Sequence, residues 1–258
     1  MKTIKEIYEY RTMISSLIKR DLRGRYKGSV LGFAWTFLNP LLQLVVYTVV
    51  FSNIMRAGIE DYYLFLFVAL IPWIFFSASI SAGAMCIISQ KDLVSKIYFP
   101  REILPIAHVT CQLVNMLLSF VVVFAVLIIS GKGVSFRALA YLPVIILAEY
   151  LLAISITMIV SALTVFLRDL EHIIAIITMA WQFLSPVMYS IDMVPENMRK
   201  IFYLNPMTPI IVAYRDILYY KRAPELFTLL HGFIFSLVLL VAGWLLFGHM
   251  KKHFAEEM

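Results

Sequence analysis

Residues 103–130 read ILPIAHVTCQLVNMLLSFVVVFAVLIIS, without a single Asp, Glu, Lys or Arg. A bilayer's ~30 Å hydrocarbon core takes roughly 20 residues of helix to cross, and helix is the form in which an isolated stretch satisfies its own backbone in lipid. Comparable apolar runs start near Leu31, Tyr62, Ala138, Ile173 and Leu229 and end near Ile54, Ser89, Val165, Ser190 and Gly248. The expected fold is therefore an all-α integral membrane protein with six transmembrane helices. Composition points the same way, because 62% of the residues are hydrophobic and 15% charged, too few to wet the surface of a soluble domain.

The net charge of +6 reads first as a topology signal and a headgroup contact, so no nucleic-acid partner is needed to explain it. With both termini cytoplasmic, 14 of the 22 Lys and Arg fall in inside segments, and most of the outside ones sit in one long loop, where the rule weakens. Cys86 and Cys111 lie inside apolar runs without CxxC spacing, as lipid-facing or packed thiols would. The first apolar run begins near Val30, after a basic stretch too long for a signal peptide's leading segment, so the first span should stay attached. The chain thus reads as one transmembrane domain over 1–258, with an interfacial helix at 1–22, the bundle at 31–248 and a cytoplasmic tail at 249–258.

Three segments outside the spans carry pattern. In the leader, Ile4, Ile7, Tyr8, Ile14, Leu17, Ile18 and Leu22 recur at helical spacing opposite Lys5, Glu6, Glu9 and Lys19, which predicts an amphipathic interfacial helix. Between the second and third spans, Ser89 with Asp92 fits a capping pattern and Pro100 cannot continue a helix begun there, so a short cytoplasmic helix is expected. Such a helix is a suitable lever between a cytoplasmic motor and the membrane, or a plain amphipathic connector. The last external loop, 190–228, is too long and too apolar to be a solvated connection, and Pro195, Pro206 and Pro209 break it. Short re-entrant helices near a cavity at the outer face are the predicted solution.

Catalytic chemistry is sparse. Gly131-Lys132 is followed by Gly133 and lacks the upstream glycine of a phosphate loop, so this chain is not expected to bind ATP by that route. No HExxH or GxSxG motif occurs, and His249 with His253 reads as part of a solvated terminus rather than a metal site. Glu149 lies near the middle of the fourth span, where a charged, lipid-exposed carboxylate costs about 2.5–3.5 kcal/mol, so it should face the bundle or a partner. Gln43, Gln112, Asn115 and Gln182 read as interhelical hydrogen-bond partners. With Glu149, the aromatics Phe33, Trp35, Trp73, Phe76, Tyr189, Tyr203 and Tyr214 are candidates for a channel or gate, and Trp73 and Phe76 offer flat faces on which sugar rings could stack. Lipid-facing or packed aromatics are the alternative for each.

Four strings occur in order: Arg25-Tyr26-Lys27-Gly28-Ser29-Val30-Leu31-Gly32 leading to Trp35 and Asn39-Pro40; Ile97-Tyr98-Phe99-Pro100-Arg101-Glu102; Asp169-Leu170-Glu171-His172-Ile173 followed by Ser185-Pro186; and Leu204-Asn205-Pro206-Met207-Thr208-Pro209 with Ala213-Tyr214-Arg215. Together they resemble the ABC-2 type permeases, the transmembrane subunits of O-antigen, capsule and teichoic acid exporters, over nearly the whole chain. Val212 departs from that pattern, standing where many relatives carry an acidic residue. The resemblance implies a multi-pass protein of a bacterial cytoplasmic (inner) membrane, working as a homodimer of six-span subunits. It also implies two copies of a separate cytoplasmic ABC ATPase that binds ATP and Mg, with no cofactor on this chain and no enzymatic activity of its own. The implied cargo is a polyprenyl-diphosphate-linked polysaccharide.

By the same likeness Lys91, Asp92, Leu93, Lys96, Ile97, Tyr98 and Phe99 would couple to the ATPase. The run Arg20, Arg23, Arg25 and Lys27 would meet the lipid diphosphate or headgroups, unless it is a topology signal alone. Two other functions stay open at this point. An exporter of another lipid or a drug differs in cargo only, whereas a membrane glycosyl- or acyltransferase needs paired carboxylates, for which Asp92 with Glu102 and Asp169 with Glu171 are the candidates.

Overall fold

The computed structural model describes residues 2–26, 28–54 and 58–257. It is 81% helix, with no strand among the described residues. The leader forms α1 (Lys2–Glu9) and α2 (Arg11–Tyr26) rather than one helix over 1–22. The interruption at Tyr10 is shallow, because Tyr10 N–H still donates to Glu6 O and Ile14 N–H to Tyr10 O, both at 3.1 Å. There follow α3 (Trp35–Thr48), α4 (Tyr62–Ser81), α5 (Lys91–Lys96), α6 (Ile103–Ile129), α7 (Phe136–Leu139), α8 (Leu142–Phe166) and α9 (Leu170–Phe183). The chain closes with α10 (Glu196–Leu204), α11 (Met207–Leu218), α12 (Leu226–Met250) and α13 (Phe254–Glu257).

Among the described residues, five helical stretches are long and apolar enough to cross a membrane: Gly32–Ser52, Tyr62–Met85, Ile103–Ile129, Phe136–Phe166 and Leu226–His253. The expected fifth span, Ile173 to Ser190, is instead the 14-residue α9, about 21 Å long at 1.5 Å per residue, followed by turns. Pro186 accounts for the stop: it has no N–H to donate, and its ring pushes Ser185 out of the helical region. The second span also ends early, at Ser81, and continues as two 3-10 turns, Gly83–Met85 and Ile88–Gln90. There the backbone meets α8. Thr157 Oγ1 donates to Ser79 O at 3.0 Å, and a Cβ built at Gly83 would sit 2.6 Å from Thr157 Cγ2.

Helix α4 is the centre of the bundle, buried along nearly its whole length and packed by α3, α6, α8, α9 and α11. Around it, α3 and α12 expose Leu42, Val45, Val46, Ile234, Val238, Val241 and Leu245. Such rows of exposed aliphatics are stable only where the solvent is itself apolar. Lipid gives helices little reason to associate by burial alone, so close backbone approach has to hold them. Helix α12 runs along α8 with Gly232, Ser236 and Gly243 turned inward, and a Cβ at Gly243 would lie 2.8 Å from Ser155 O.

Both termini lie at one end of the bundle, together with the 83–102 segment: Tyr10 Oη donates to Tyr98 O at 3.3 Å, and Lys251 Nζ meets Glu102 Oε1 at 2.5 Å. The C-terminal tail is not the solvated terminus that His249 and His253 suggested. Those two side chains are exposed, but Phe254 is buried between Phe247 and Phe166 at 5.5 and 6.1 Å. The thiols of Cys86 and Cys111 are packed, not lipid-facing.

Replacing Gly243 by Leu should force α12 away from α8 and cost about 1–3 kcal/mol, as overpacking does. The expected result is a clear fall in the thermal unfolding midpoint in detergent, with Gly248→Leu, which meets nothing within 4 Å, close to the parent. Equal midpoints for both variants would contradict this packing.

Candidate functional site

The structure gathers the functional candidates at two ends of the bundle and at one level between them. At the end with both termini, α5 spans Lys91–Lys96 only, and Ile97 turns to an extended backbone three residues before Pro100. The expected cap is not made: Gln90 precedes the helix without a side-chain cap, and Ser89 Oγ donates to Cys86 O. Val94 and Phe99 are buried and anchor the segment, whereas Lys91, Asp92 and Lys96 are exposed and Tyr98 stands 90% exposed. Lys96 and Asp92 pair at 3.2 Å across one helical turn, an exposed ion pair worth a few tenths of a kcal/mol. Leu93 is half-buried, and Ile97 is exposed beside Tyr98.

This segment is locked to the chain's C-terminus. Arg101 donates to Lys251 O and lies 5.8 Å over the Phe254 ring, while Glu102, buried, accepts from Lys251. Between α1, the 94–101 stretch and Lys251-Lys252 lies an open hollow of about 550 Å³, lined by Glu6, Lys96, Tyr98 and Arg101 among others. An exposed aromatic beside a basic hollow, on a segment held rigidly at both ends, is a surface fit to receive another protein. The nearby basic run divides. Arg20 is engaged with Asp21 and with Gln90 Oε1, both at 3.1 Å, and Arg23 is exposed. The side chain of Arg25 and the whole of Lys27 lie outside the described residues.

At mid-bundle, Glu149 is fully buried and accepts a 2.7 Å hydrogen bond from Tyr214 Oη, whose ring stacks on Phe120 at 5.8 Å. Its second oxygen, Oε1, has no hydrogen-bond partner among the described residues. Trp73 and Phe76, 3% and 0% exposed, lie within the protomer's packing, in line from Trp73 through Phe76 to Trp181 at 5.6 and 5.2 Å. Trp181 Nε1 donates to Asn205 Oδ1 at 2.8 Å. The Asn205 amide in turn reaches Leu184 O and Ser185 Oγ, so it ties the end of α9 to the start of α11. Phe33 and Trp35 stand exposed at the start of the first span.

The opposite end is built around Arg215. It is 3% exposed and meets no carboxylate among the described residues. Its guanidinium donates to Val187 O at 2.6 Å, Tyr189 O at 2.9 Å and Phe65 O at 3.4 Å, and stands 3.6 Å over the Phe65 ring. A desolvated cation over a ring is worth about 2 kcal/mol, which offsets part of the cost of burying the charge. Tyr62 Oη donates to Met188 O at 2.7 Å in the same turn. Outside this knot, Lys132 bridges Asp61 and Glu60 at 2.9 and 3.1 Å, which holds its ammonium above the usual lysine range, with the Asp61 bond the larger cause. Tyr219 donates to Glu60 O and Lys221 to Lys132 O, closing a ring of contacts among three loops. Tyr203, Asp216 and Arg222, the last two paired at 2.7 Å, line an outer hollow of about 530 Å³, and Tyr189 donates to Phe183 O nearby.

Glu149 and Tyr214, separate candidates in the sequence, are therefore partners. Sequence reasoning does not single out Arg215, Asn205 or Lys132 as site residues, and it offers Glu102 only as a carboxylate paired with Asp92 for a transferase. A cation one residue beyond Tyr214, within an apolar stretch broken by prolines, is the signal that could have marked Arg215.

Comparison with known proteins places this architecture. The family described as ABC-2 type transporter matches residues 12–219. Over the full length of both chains, the protein is 35% identical to an O-antigen export system permease protein, RfbA, of Myxococcus xanthus. It is 31% identical to a protein of the same description from Klebsiella pneumoniae, over 93% of this chain and 92% of the relative. A polysialic acid transport protein, KpsM, of Escherichia coli is 22% identical over 91% of this chain and 92% of its own. With its family match across most of the chain and relatives aligned nearly end to end, the protein belongs to the ABC-2 type transporter family of multi-pass inner-membrane permeases.

Proposed function

We propose that this chain is the permease subunit of a polysaccharide ABC exporter, moving a polyprenyl-diphosphate-linked glycan such as O-antigen across the bacterial cytoplasmic membrane. The observation that carries this reading is the full-length similarity to a protein named O-antigen export system permease. The working unit is a homodimer with two copies of a separate ABC ATPase, which holds the ATP and Mg. This chain contributes no hydrolytic chemistry. Its part is to couple, conduct and gate.

The coupling end is cytoplasmic, which agrees with the surplus of Lys and Arg in the leader and in the 91–101 segment. There α5 and Tyr98 face the ATPase, and the Glu102–Lys251 lock passes its movement to α6 and α12. Arg20, Arg23, Arg25 and Lys27 supply cations at headgroup level for an anionic lipid carrier. Helix α9 serves as the sixth crossing, completed by the turn over 184–190 that Arg215 holds. Helices α10 and α11 enter from the outer side and do not cross. In support, Tyr214 of α11 reaches Glu149, about two helical turns inside α8.

Purification from native membranes in mild detergent tests the reading. A stoichiometric ATPase together with polyprenyl-linked glycan is the expected company, and a chain that purifies alone, with no nucleotide-dependent partner, would overturn it. Two substitutions probe the ends. Tyr98→Ala removes an exposed ring, so the thermal midpoint should stay within about 2 °C while ATP-driven export falls at least ten-fold; unchanged coupling would remove Tyr98 from the docking surface. Arg215→Gln should cost about 2–4 kcal/mol and let small solutes leak through reconstituted vesicles, measured by dye release. Tight vesicles would show that Arg215 does not close the outer end.

A further inference from the structure

The polar residues expected to bridge helices do not do so. Gln112, 4% exposed, has no hydrogen-bond partner among the described residues, and both amide atoms of Asn115 are buried without one. In lipid or in a protein core an unpartnered amide is costly, so a side chain kept in that state calls for an occupant. Both line a cavity of about 400 Å³ between the start of α3 and the middles of α4 and α6. Asn39 and Ser119 add further hydrogen-bonding groups, and Trp35 and Phe75 add aromatic walls. Among the described residues, no Asp, Glu, Lys or Arg contributes to the lining.

We infer that this cavity is a binding site for an uncharged, hydroxyl-bearing ring of the pyranose type. An amide offers both donors and an acceptor, and so does a hydroxyl, so the two satisfy each other in either direction. The apolar walls match the C–H faces of such a ring. A phosphate or diphosphate fits less well, because no described residue of the lining would neutralise it. The volume is at the lower end of the ~300–1,000 Å³ of small-ligand pockets. The position follows from α6, which starts at Ile103 at the coupling end: Gln112 is nine residues in, about 14 Å along the helix. With that end cytoplasmic, the site lies in the inner half of the membrane, ahead of the Glu149–Tyr214 level. The placement relative to the membrane rests on the exporter reading; the amide-lined cavity does not.

The test uses the full chain with whatever ATPase accompanies it, in lipid nanodiscs, and two photoreactive probes with the same diazirine-bearing alkyl chain: a β-glucoside and a phosphocholine. The glucoside should label peptides carrying residues 35–39 or 112–119, and this labelling should fall at least ten-fold in Gln112→Leu and Asn115→Leu. Gln112→Asn and Asn115→Gln should keep part of it. Because the Leu variants remove polar groups that have no partner, their thermal midpoints should equal or exceed the parent's, which separates loss of binding from misfolding. Labelling unchanged in both Leu variants, or equal labelling of the same residues by the phosphocholine probe, would overturn the assignment. Competition identifies the source. Suppression by a soluble oligosaccharide points to transported glycan entering from an aqueous path, and suppression by octyl glucoside alone points to a glycolipid headgroup entering from the bilayer; both support the site. Co-purification of the ATPase, scored in the same preparations, reports on the exporter reading separately.

Discussion

The hydrogen bond from Tyr214 to Glu149 is the contact on which the half of the molecule away from the termini depends. It joins a short helix, α11, to α8 well inside a stretch long and apolar enough to cross a membrane. Backbone at that depth must be covered by protein or face a water-filled cavity, so a segment such as α11 is tolerable only if it is held in place. The next residue, Arg215, supplies the second hold by gathering the carbonyls of Val187 and Tyr189 and the ring of Phe65. Two adjacent side chains thus fasten α11 to α8 on one side and to α4 and the turn after α9 on the other. Without them the prolines at 195, 206 and 209 would leave an apolar loop with nowhere to settle.

The end that carries both termini follows a different logic. Its anchors are apolar or ionic and buried, namely Val94, Phe99 and the Glu102–Lys251 pair, while the side chains offered outward are few and large. A rigid base under an exposed aromatic suits force transfer, because motion imposed on Tyr98 is not absorbed by local rearrangement. The α8–α12 contact, close enough at Gly243 to exclude a Cβ, extends that rigidity along the bundle. Between the two ends, the cavity lined by Gln112 and Asn115 is one place where polarity is left unanswered among the described residues.

Much of the fold is legible in the sequence. Long charge-free runs fix helices in lipid with little freedom of interpretation, and five of the expected spans have helices long enough to cross. The fifth run carries a shorter helix than expected, because hydropathy does not register that Pro186 ends it early. The short helix after Ser89 forms in the expected segment but with a different cap and less length, since the competing bond from Ser89 to Cys86 O arises only when the chain folds into 3-10 turns against α8. Glu149 is visible as an expensive residue needing a partner, yet nothing local names Tyr214, which is 65 positions away. The amides within the spans suggest their usual bridging role, and their isolation is a tertiary outcome that no spacing encodes.

The central claim is that this chain conducts a lipid-linked glycan when a separate ATPase drives it. The most direct measurement is translocation in sealed vesicles holding the purified chain and its co-purified ATPase, with glycan on the far side detected by an impermeant lectin. ATP with Mg should bring glycan across, and vesicles lacking ATP, or holding a hydrolysis-deficient ATPase, should stay dark. Glycan crossing at the same rate without ATP, or none crossing while the ATPase turns over normally with its permease, would contradict the account.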